Sequence, residues 1–466
     1  MKAKPWLAIV LAPILLFPAA TDLSAGPDRQ SGNLTDRDYR NRVLQKVADL
    51  LESKYVLADQ AKGFADAFRA KCASGAYDAF VQAKEFAEKV NADLVAITRD
   101  KHLNFRVVVP SAAGEKAASS LHHPVRYYLL RKKENAGFYK LEWIEPGIGY
   151  LDLRRFYSFD QAKEMSLAAM RFLANARAII IDVRENGGGS GDYLSSYFLP
   201  YPTQLSGSFS RLDGRLSEIW TLRNIGMEPR TDVPLFILTG PNTFSAAESF
   251  AYDLKTRKRA TLVGEPTKGG AHSVDLYGID DQLEIYISTA RAVSPVTGGN
   301  WEGTGVIPDI PATPSTALET AVAEARKAAE AFGRAEDDRL KKAVEKMQTY
   351  ADDAARLYRE DKSESAGAAL NALFEIARKA GLISEFFIGV FAYNFQSPPD
   401  ERMLFAILEK SVAFFPNSPD SYEQIAYFRY LRGHKELAVR YLQKALAINP
   451  DLRNAAKLLK ELQERK

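Results

Sequence analysis

A serine at the start of a helical segment is the first residue whose setting could support chemistry. Ser245 lies in Thr243-Phe-Ser-Ala-Ala-Glu248, which follows the apolar run 234–239 and Gly240-Pro241. A serine on a tight strand-to-helix turn exposes its hydroxyl, and the helix start supplies free backbone N–H groups. These are the needs of a nucleophile and of half an oxyanion hole. The same spacing of Ser245 and Glu248 also fits a capping box, which is the commoner arrangement.

A glycine-rich turn is the second candidate for chemistry. The apolar run Ile179-Ile-Ile-Asp182 leads into Gly187-Gly-Gly189. Glycines let a backbone approach a substrate closely, and exposed N–H groups in such a loop can bind an oxyanion. No Gly-Lys-Ser/Thr follows and the dinucleotide spacing is absent, so a phosphate-binding loop is not indicated. Asp182, Arg184 and Asn186 alternate with apolar neighbours, which predicts a buried polar scaffold for the loop.

These two segments must be positioned by a mixed α/β region. Residues 36–97 repeat apolar positions at helical spacing, which predicts a helical N-terminal subdomain over 30–104. Short β-branched runs then alternate with helical patterns, which predicts an α/β core over 105–325. Strands are predicted at 105–109 and, as a pair around a polar turn, at 126–131 and 138–143.

The last part of the chain has a different character. Residues 330–466 are rich in Ala, Leu, Glu and Lys and have no strand pattern. Pro416 and Pro450 are 34 residues apart, and apolar or small residues lie between them at the spacing of a tetratricopeptide-like repeat. A preceding repeat, 385–416, is degenerate. The domain is predicted either to bind a protein partner or to act as a helical buttress for the α/β core.

The N-terminus is typical of an export signal. Lys2 and Lys4 precede an apolar run over 6–17 and several small residues, which predicts a signal peptide over 1–25. An uncleaved anchor is the alternative. The single cysteine, Cys72, excludes an internal disulfide. We therefore expect a periplasmic or extracellular protein, in keeping with a bacterial envelope, with no membrane span after signal cleavage.

Composition excludes several classes of protein. Apolar residues make up 46% of the 466 residues and the formal charge is only +3, so neither general disorder nor nucleic-acid binding is indicated. The pair His122-His123 has no partner at metal-ligand spacing and is predicted to lie in a loop. No metal and no organic cofactor is expected.

Four motifs in order make the chain similar to one family. They are Asp182-Val-Arg-Glu-Asn-Gly-Gly-Gly189, Thr243-Phe-Ser-Ala-Ala-Glu248, Val263-Gly-Glu-Pro-Thr-Lys-Gly-Gly270 and Asn300-Trp-Glu-Gly-Thr-Gly-Val-Ile-Pro-Asp309. They resemble the serine peptidases that include C-terminal-processing (tail-specific) proteases, the tricorn protease core and interphotoreceptor retinoid-binding protein modules. The resemblance covers about 36–325 and implies a ClpP/crotonase-like α/β core. The interval 105–149 is too short for a PDZ insertion, so C-terminal specificity is not carried over.

The resemblance implies Ser245 as nucleophile, with an oxyanion hole formed by the N–H of Ala246 and of Gly188 or Gly189. Tail-specific proteases use a lysine base, but the matching position here is Gly270. Lys268 is displaced from it by two residues, which is over about 6 Å along a strand. The lysine-dependent solution is therefore not indicated.

The other solution in the family is a histidine oriented by a glutamate. His102, in Asp100-Lys-His102, resembles the Asp-x-His segment of the retinoid-binding-protein-like branch, and Glu302 lies 57 residues after Ser245. A histidine can accept the serine proton while a carboxylate fixes its tautomer. The resemblance therefore implies a triad of His102, Ser245 and Glu302. His272 is the alternative base.

The interpretation that follows is an exported serine peptidase. It would hydrolyse peptide bonds of peptides or unfolded proteins through an acyl-enzyme intermediate. The alternative is a non-catalytic module that binds apolar ligands or proteins on a peptidase-like fold, as in the retinoid-binding proteins. A scaffold built on the C-terminal helices, with an inactive peptidase core, is a third possibility.

Overall fold

The structure is a computed structural model that describes residues 33–108 and 119–464. The chain forms two compact units, of which the first ends at Phe332 and the second begins at Gly333. The predicted signal peptide, 1–25, lies outside the described residues. None of the helices in the described ranges is long and apolar enough to span a bilayer.

The first unit opens with three helices, as predicted. They are α1 (Arg37–Lys54), α2 (Ala58–Ala73) and α3 (Ala83–Thr98), followed by strand β1 (Asn104–Val107). Asp36 caps α1 by accepting a hydrogen bond from the Asp38 N–H. The apolar stripes of these helices meet in one buried cluster, which also contains Ile285 and Ile287 of a later strand. The helical N-terminus therefore packs on a sheet of the same unit.

That strand belongs to a five-stranded sheet, which we call the antiparallel sheet. Its order is β1-β10-β5-β6, and β9 also pairs with β10. The remaining members are β5 (Gln204–Ser210), β6 (Leu216–Trp220), β9 (His272–Gly278) and β10 (Leu283–Val293).

A second sheet of six strands, the central sheet, has the order β11-β8-β7-β4-β3-β2. All neighbours are parallel except β2 and β3. The strands are β2 (Phe138–Glu145), β3 (Ile148–Leu153), β4 (Ala178–Asp182), β7 (Leu235–Thr239), β8 (Thr261–Gly264) and β11 (Ile310–Pro311). The fold is thus mixed α/β, as the sequence predicts.

Both faces of the central sheet are covered, which explains its unbroken apolar strands. One face packs on α5 (Phe159–Phe172) and α6 (Ala246–Thr256) through Met170, Phe250 and Leu254. The other face packs on the start of α7 (Ala317–Arg359), where alanines recur every four residues; these are Ala317, Ala321, Ala325 and Ala329. Small residues at that spacing let the helix lie close to the strands.

One predicted strand is wrong. The segment 126–131 lies in helix α4 (Ser119–Lys133), so β2 pairs with β3 instead. The segment has no period-2 alternation, and its Leu and Arg residues favour a helix. His122 and His123 also lie on α4 rather than in the predicted loop. The structure does not describe their side chains.

The second unit is entirely helical over its described residues. After the end of α7 it contains α8 (Ser363–Lys379), α9 (Glu385–Tyr393), α10 (Glu401–Phe414), α11 (Pro419–Leu431), α12 (Lys435–Ile448) and α13 (Arg453–Glu464). Helices α11 and α12 occupy the predicted repeat, and its small residues Ala426, Ala438 and Ala445 are buried. The helical C-terminal region is confirmed, whereas its assignment as a tetratricopeptide-like array stays a prediction.

Candidate active site

Ser245 lies between the end of β7 and the first residue of α6. Its backbone has φ 56° and ψ −118°, in the left-handed half of the map that a serine rarely adopts. Such a conformation costs about 1–3 kcal/mol and persists only where surrounding contacts impose it. The Ser245 N–H donates to Glu248 Oε2 at 2.8 Å, which is one half of a capping box. The serine is therefore held both as a helix cap and as a strained turn residue.

The glycine-rich turn reaches Ser245 because β4 and β7 are parallel neighbours. Their carboxyl ends lie at the same edge of the central sheet. The two turns are hydrogen-bonded to each other: Thr243 Oγ1 donates to the Val183 carbonyl at 2.8 Å, and the Phe244 N–H donates to the Asn186 carbonyl at 3.0 Å. The two motifs singled out from the sequence thus form one site.

Gly188 and Gly189 both have positive φ and leave no room for a side chain. A Cβ at Gly188 would lie 2.8 Å from Ser245 Cβ, and one at Gly189 would lie 1.9 Å from the Phe156 carbonyl oxygen. The Gly188 N–H donates to Asn186 Oδ1 at 2.9 Å. That N–H is therefore occupied, whereas the Gly189 N–H makes no hydrogen bond to the described part of the chain.

Asn186 and its neighbours form the polar scaffold that the sequence predicts. The Asn186 amide is fully buried and donates to the Leu153 carbonyl at 2.8 Å. Arg184 Nη2 pairs with Asp182 Oδ2 at 2.6 Å, and the Tyr150 hydroxyl donates to the same oxygen at 2.8 Å. These contacts fix the backbone that carries the glycines.

Glu248 fixes the segment opposite the glycine-rich turn. Its buried carboxylate accepts hydrogen bonds from Thr267 Oγ1 at 2.5 Å, from the Gly269 N–H at 2.6 Å and from the Gly270 N–H at 2.8 Å, besides the Ser245 N–H. Burial raises the pKa of Glu248, and these hydrogen bonds oppose that rise. One side chain thereby connects the start of α6 to the loop 267–270, which precedes β9.

His102 lies against Phe244, the residue before Ser245. The two rings are stacked with centroids 4.3 Å apart. Neither ring nitrogen of His102 has a hydrogen-bond partner among the described residues, although the side chain is only 10% exposed. Burial lowers the pKa of His102 to about 4, against the opposing charge of Asp100. A neutral, buried imidazole without a partner is one that a reacting group could still engage.

Gly270 faces the same two rings. A Cβ there would lie 2.2 Å from Phe244 Cε2 and 2.5 Å from His102 Cε1. Trp301 holds this glycine in place, since its indole N–H donates to the Gly270 carbonyl at 2.9 Å. Lys268 also lies near these rings, with Nζ 4.7 Å from the centroid of the Phe244 ring.

Glu302 lies in a buried cluster with His272 and Asp100. Glu302 Oε2 accepts the Ala271 N–H at 2.5 Å and lies 3.7 Å from His272 Nδ1. Glu302 Oε1 is buried and has no hydrogen-bond partner among the described residues. Burial raises the pKa of Glu302 to about 7; the charge of His272 opposes this rise and that of Asp100 adds to it. In this structure Glu302 thus contacts His272 rather than His102.

The donor atoms of Asp100, His272 and Glu302 are close enough together for a metal ion. Each of them is nevertheless already paired. His272 Nδ1 lies 2.8 Å from Asp100 Oδ2, that oxygen also accepts the Tyr55 hydroxyl at 3.1 Å, and Glu302 Oε2 accepts a backbone N–H. The cluster therefore fits an internally hydrogen-bonded network better than a metal site.

Sequence reasoning missed the structural roles of Tyr55, Phe244 and the Glu248 carboxylate. No spacing pattern connects Tyr55 to Asp100, because they meet only through tertiary packing. The sequence predicts Glu248 as a capping residue. Its position three residues after Ser245 is the local signal for its wider role. In the sequence, Asp100 stands out only as part of the segment that carries His102.

The family comparison agrees with this arrangement of turns and strands. Residues 147–312 match the model of peptidase family S41, and residues 34–136 match the N-terminal domain of that family as found in eukaryotic IRBP. The chain belongs to peptidase family S41. The two matches together cover more than half of this S41 chain, and neither extends into the second unit.

Individual relatives of this S41 chain are processing proteases. It is 31% identical over 162 residues to the carboxyl-terminal-processing protease of Synechocystis sp., covering 34% of this chain and 36% of that protein. It is 29% identical over 170 residues to carboxyl-terminal-processing peptidase 2, chloroplastic, of Arabidopsis thaliana, covering 36% and 32%. The matched region is thus about a third of each relative's length.

Among solved structures, the chain resembles a photosystem II D1 C-terminal processing protease with a TM-score of 0.32 and 22% identity. The likeness covers 46% of this chain and 49% of that one.

Proposed function

We propose that this protein is an exported serine peptidase that hydrolyses peptide bonds of peptides or unfolded proteins. Ser245 is the nucleophile, His102 the general base and Glu302 the carboxylate that orients the base. The observation that carries the proposal is the meeting of three features: the strained Ser245 turn, the glycines against it, and a neutral His102 beside it. Membership of family S41 supports the same reaction class.

The first half of the reaction forms an acyl-enzyme. Ser245 Oγ attacks the carbonyl carbon of the scissile bond, and its proton passes to His102. The oxyanion that forms on the substrate accepts hydrogen bonds from the N–H groups of Ala246 and Gly189. Both donors belong to the backbone, so this step needs no side chain from either residue. The C–N bond then breaks, and His102 gives its proton to the leaving amine.

The second half releases the acid. A water molecule takes the place of the amine, His102 accepts a proton from it, and the resulting hydroxide attacks the ester carbonyl. The bond between Ser245 Oγ and the acyl carbon breaks, and His102 returns the proton to the serine. The product is a free carboxylic acid, and the enzyme regains its starting protonation state.

His102 is a better candidate for the base than His272. Its ring stacks on the residue next to Ser245 and both of its nitrogens lack a hydrogen-bond partner within the described part of the chain. His272 Nδ1 is already bonded to Asp100. Glu302 has one unpartnered oxygen, Oε1, with which it can orient His102 once substrate is bound. Catalytic hydrogen bonds are often long before substrate arrives.

Export and partner binding belong to the same proposal. The pattern over 1–25 supports export to the periplasm or the extracellular space. In the second unit, Phe386 of α9 is 82% exposed and Tyr427 of α11 is 48% exposed, and Glu385, Asp420 and Glu423 line the same groove. An apolar groove with acidic residues supports binding of a protein partner or substrate that carries apolar and basic side chains.

The test compares Ser245→Ala with Ser249→Ala, one helical turn further along α6. Both are incubated with a mixed peptide library, and products are read by mass spectrometry together with labelling by a serine-directed phosphonate. We expect wild type and Ser249→Ala to cleave and to be labelled, and Ser245→Ala to do neither while remaining folded. Equal cleavage by wild type and Ser245→Ala would reject the proposal. Stoichiometric binding of an apolar ligand without turnover would favour a non-catalytic module.

A further inference from the structure

We propose that Asp100 and His272 are positioning residues of this site: Asp100 fixes the segment that carries His102, and His272 holds Glu302 in place with its charge. The inference rests on the proposed function, since it concerns how the base and the orienting carboxylate are held. Neither residue is required to touch substrate.

Asp100 connects three separate parts of the first unit. It is 1% exposed. Its Oδ1 accepts the backbone N–H of His102 at 2.8 Å, and its Oδ2 accepts the Tyr55 hydroxyl at 3.1 Å and lies 2.8 Å from His272 Nδ1. Tyr55 ends α1, His102 precedes β1 and His272 begins β9. A buried carboxylate with three partners has one preferred position, and the backbone of His102 is held with it.

The ionisation state of Asp100 determines which ring nitrogen of His272 carries a hydrogen. Although burial alone would raise it, the pKa of Asp100 is lowered to about 2, chiefly by the hydrogen bond and charge of His272. Asp100 is therefore a carboxylate at neutral pH and can only accept. His272 Nδ1 must then carry a hydrogen and donate it to Asp100.

Among the described residues, His272 is also the basic side chain that lies within 4 Å of the Glu302 carboxylate. The Ala271 N–H holds Glu302 Oε2, and the adjacent His272 Nδ1 lies 3.7 Å from the same oxygen. This leaves Glu302 Oε1 free of hydrogen bonds within the described residues, as an atom that orients a base requires. The charge of His272 opposes the effects of burial and of Asp100, both of which favour the neutral acid.

The other groups that act on Glu302 come from neighbouring elements. Glu248 on α6 adds to the rise in its pKa, and Asp100 does the same from the segment before β1. Lys268 acts on His102 rather than on Glu302, where its charge helps to lower the pKa of the imidazole. Tyr55 stays neutral, because burial and Asp100 raise its pKa. Of these groups, His272 is the one whose charge opposes the rise in the pKa of Glu302.

His272→Asn separates charge from hydrogen bonding. The Asn amide nitrogen can replace Nδ1 as the donor to Asp100, while the positive charge is lost. The rate constant for phosphonate labelling of Ser245 is measured against pH. We expect the midpoint of this profile to move up by about one unit or more, with the rate recovering to within about threefold of wild type at high pH. The thermal midpoint should stay close to that of wild type.

The matched control is His434→Asn in the second unit, because His434 Nε2 also pairs with a glutamate, Glu401 Oε1, at 2.8 Å. It should leave the profile unchanged. An unmoved midpoint in His272→Asn, or an equal fall in rate at every pH, would overturn the role of its charge.

For Asp100→Asn we expect kcat to fall at least tenfold with little change in KM; unchanged kcat would overturn the role of Asp100.

A second measurement separates this inference from the peptidase proposal. The side-chain carboxyl resonance of Glu302 is titrated by NMR in Ser245→Ala protein, with and without His272→Asn, and is assigned by its loss in Glu302→Gln. We expect a higher pKa for Glu302 when His272 is replaced. An absence of labelling in wild type would reject the peptidase proposal alone, whereas an unchanged Glu302 titration would reject this inference alone. If His272→Asn does not fold, His272→Gln is used in both measurements.

Discussion

The ring of His102 stacks on the ring of Phe244 at a centroid distance of 4.3 Å, directly before Ser245 in the chain. This contact places an imidazole from the segment preceding β1 beside a serine that caps α6. His102 and Phe244 are 142 positions apart in the sequence, so only the packing of both sheets brings them together.

Gly270→Ala should remove activity by displacing His102. The added Cβ would lie 2.5 Å from His102 Cε1 and 2.2 Å from Phe244 Cε2, so both rings must move. A misplacement of about 1 Å can cost on the order of 100-fold in rate. We expect at least that loss in kcat/KM, together with a destabilisation of about 1–3 kcal/mol from overpacking. Gly63→Ala, on α2 with nothing within 4 Å of its added Cβ, is the control and should retain full activity.

Gly188→Ala and Gly187→Ala should differ sharply although they are neighbours. A Cβ at Gly188 would lie 2.8 Å from Ser245 Cβ and the position has φ 93°, whereas a Cβ at Gly187 meets nothing within 4 Å. We expect Gly188→Ala to lose about 100-fold or more in phosphonate labelling. Gly187→Ala should be labelled at nearly the wild-type rate. Comparable rates in the two variants would contradict the close approach of the loop to Ser245.

The activity should rise with pH through about 7. Burial raises the pKa of Glu302 to about 7, and the proposed mechanism needs its carboxylate form. Below this pH, kcat/KM should fall about tenfold per unit, because the protonated fraction grows by that factor. The lowered pKa of His102, about 4, keeps the base neutral over this range. Glu302→Gln should remove the step near pH 7 and lower the rate by up to about 10⁴-fold; a retained step would assign it to another group.

Glu248→Gln should destabilise the first unit. The carboxylate accepts four hydrogen bonds, and a glutamine amide would direct an NH₂ group at some of those donors. Leaving buried donors unpaired costs about 1–3 kcal/mol, so the free energy of unfolding in urea should fall by about 2 kcal/mol. Glu185→Gln is the control, since the Glu185 carboxylate accepts a hydrogen bond at 3.1 Å from the exposed side-chain amide of Asn242. A loss of equal size in both variants would refute a special role for Glu248.

Phe386→Ser should affect partner binding and not the chemistry. Phe386 is 82% exposed on α9 and contributes little to the core of the second unit. If the groove binds a partner or substrate with apolar and basic side chains, affinity for a peptide of that kind should fall at least tenfold by calorimetry. Hydrolysis of a short peptide should stay unchanged. Leu340→Ser on α7 is the control for loss of an exposed apolar side chain.

The sequence predicts the turns of the site well because their signals are local. Ser245 follows a β-strand and begins a helix, and Gly188 and Gly189 follow another strand; parallel pairing then brings both turns to one edge. The segment 126–131 was predicted wrongly because a short mixed run of apolar and basic residues lacks a clear period.

The hydrogen bonds of the site could not be predicted in the same way. Glu302 was expected beside His102, whereas the structure places its Oε2 near His272. The contacts of Asp100 with Tyr55 and His272 join residues from α1 and β9, whose positions depend on the packing of the N-terminal helices on the antiparallel sheet. No pattern within a window of sequence carries that information.

The fit of Gly270 against His102 also bears on how such sites could have diverged. A lysine at position 270 would occupy the volume that the two stacked rings fill here, so the lysine and the histidine are alternatives in space as well as in chemistry. A side chain gained at position 270 would meet the rings of His102 and Phe244, so both rings would have to move or be replaced with it. Passage between the two kinds of site requires coordinated replacement at several positions.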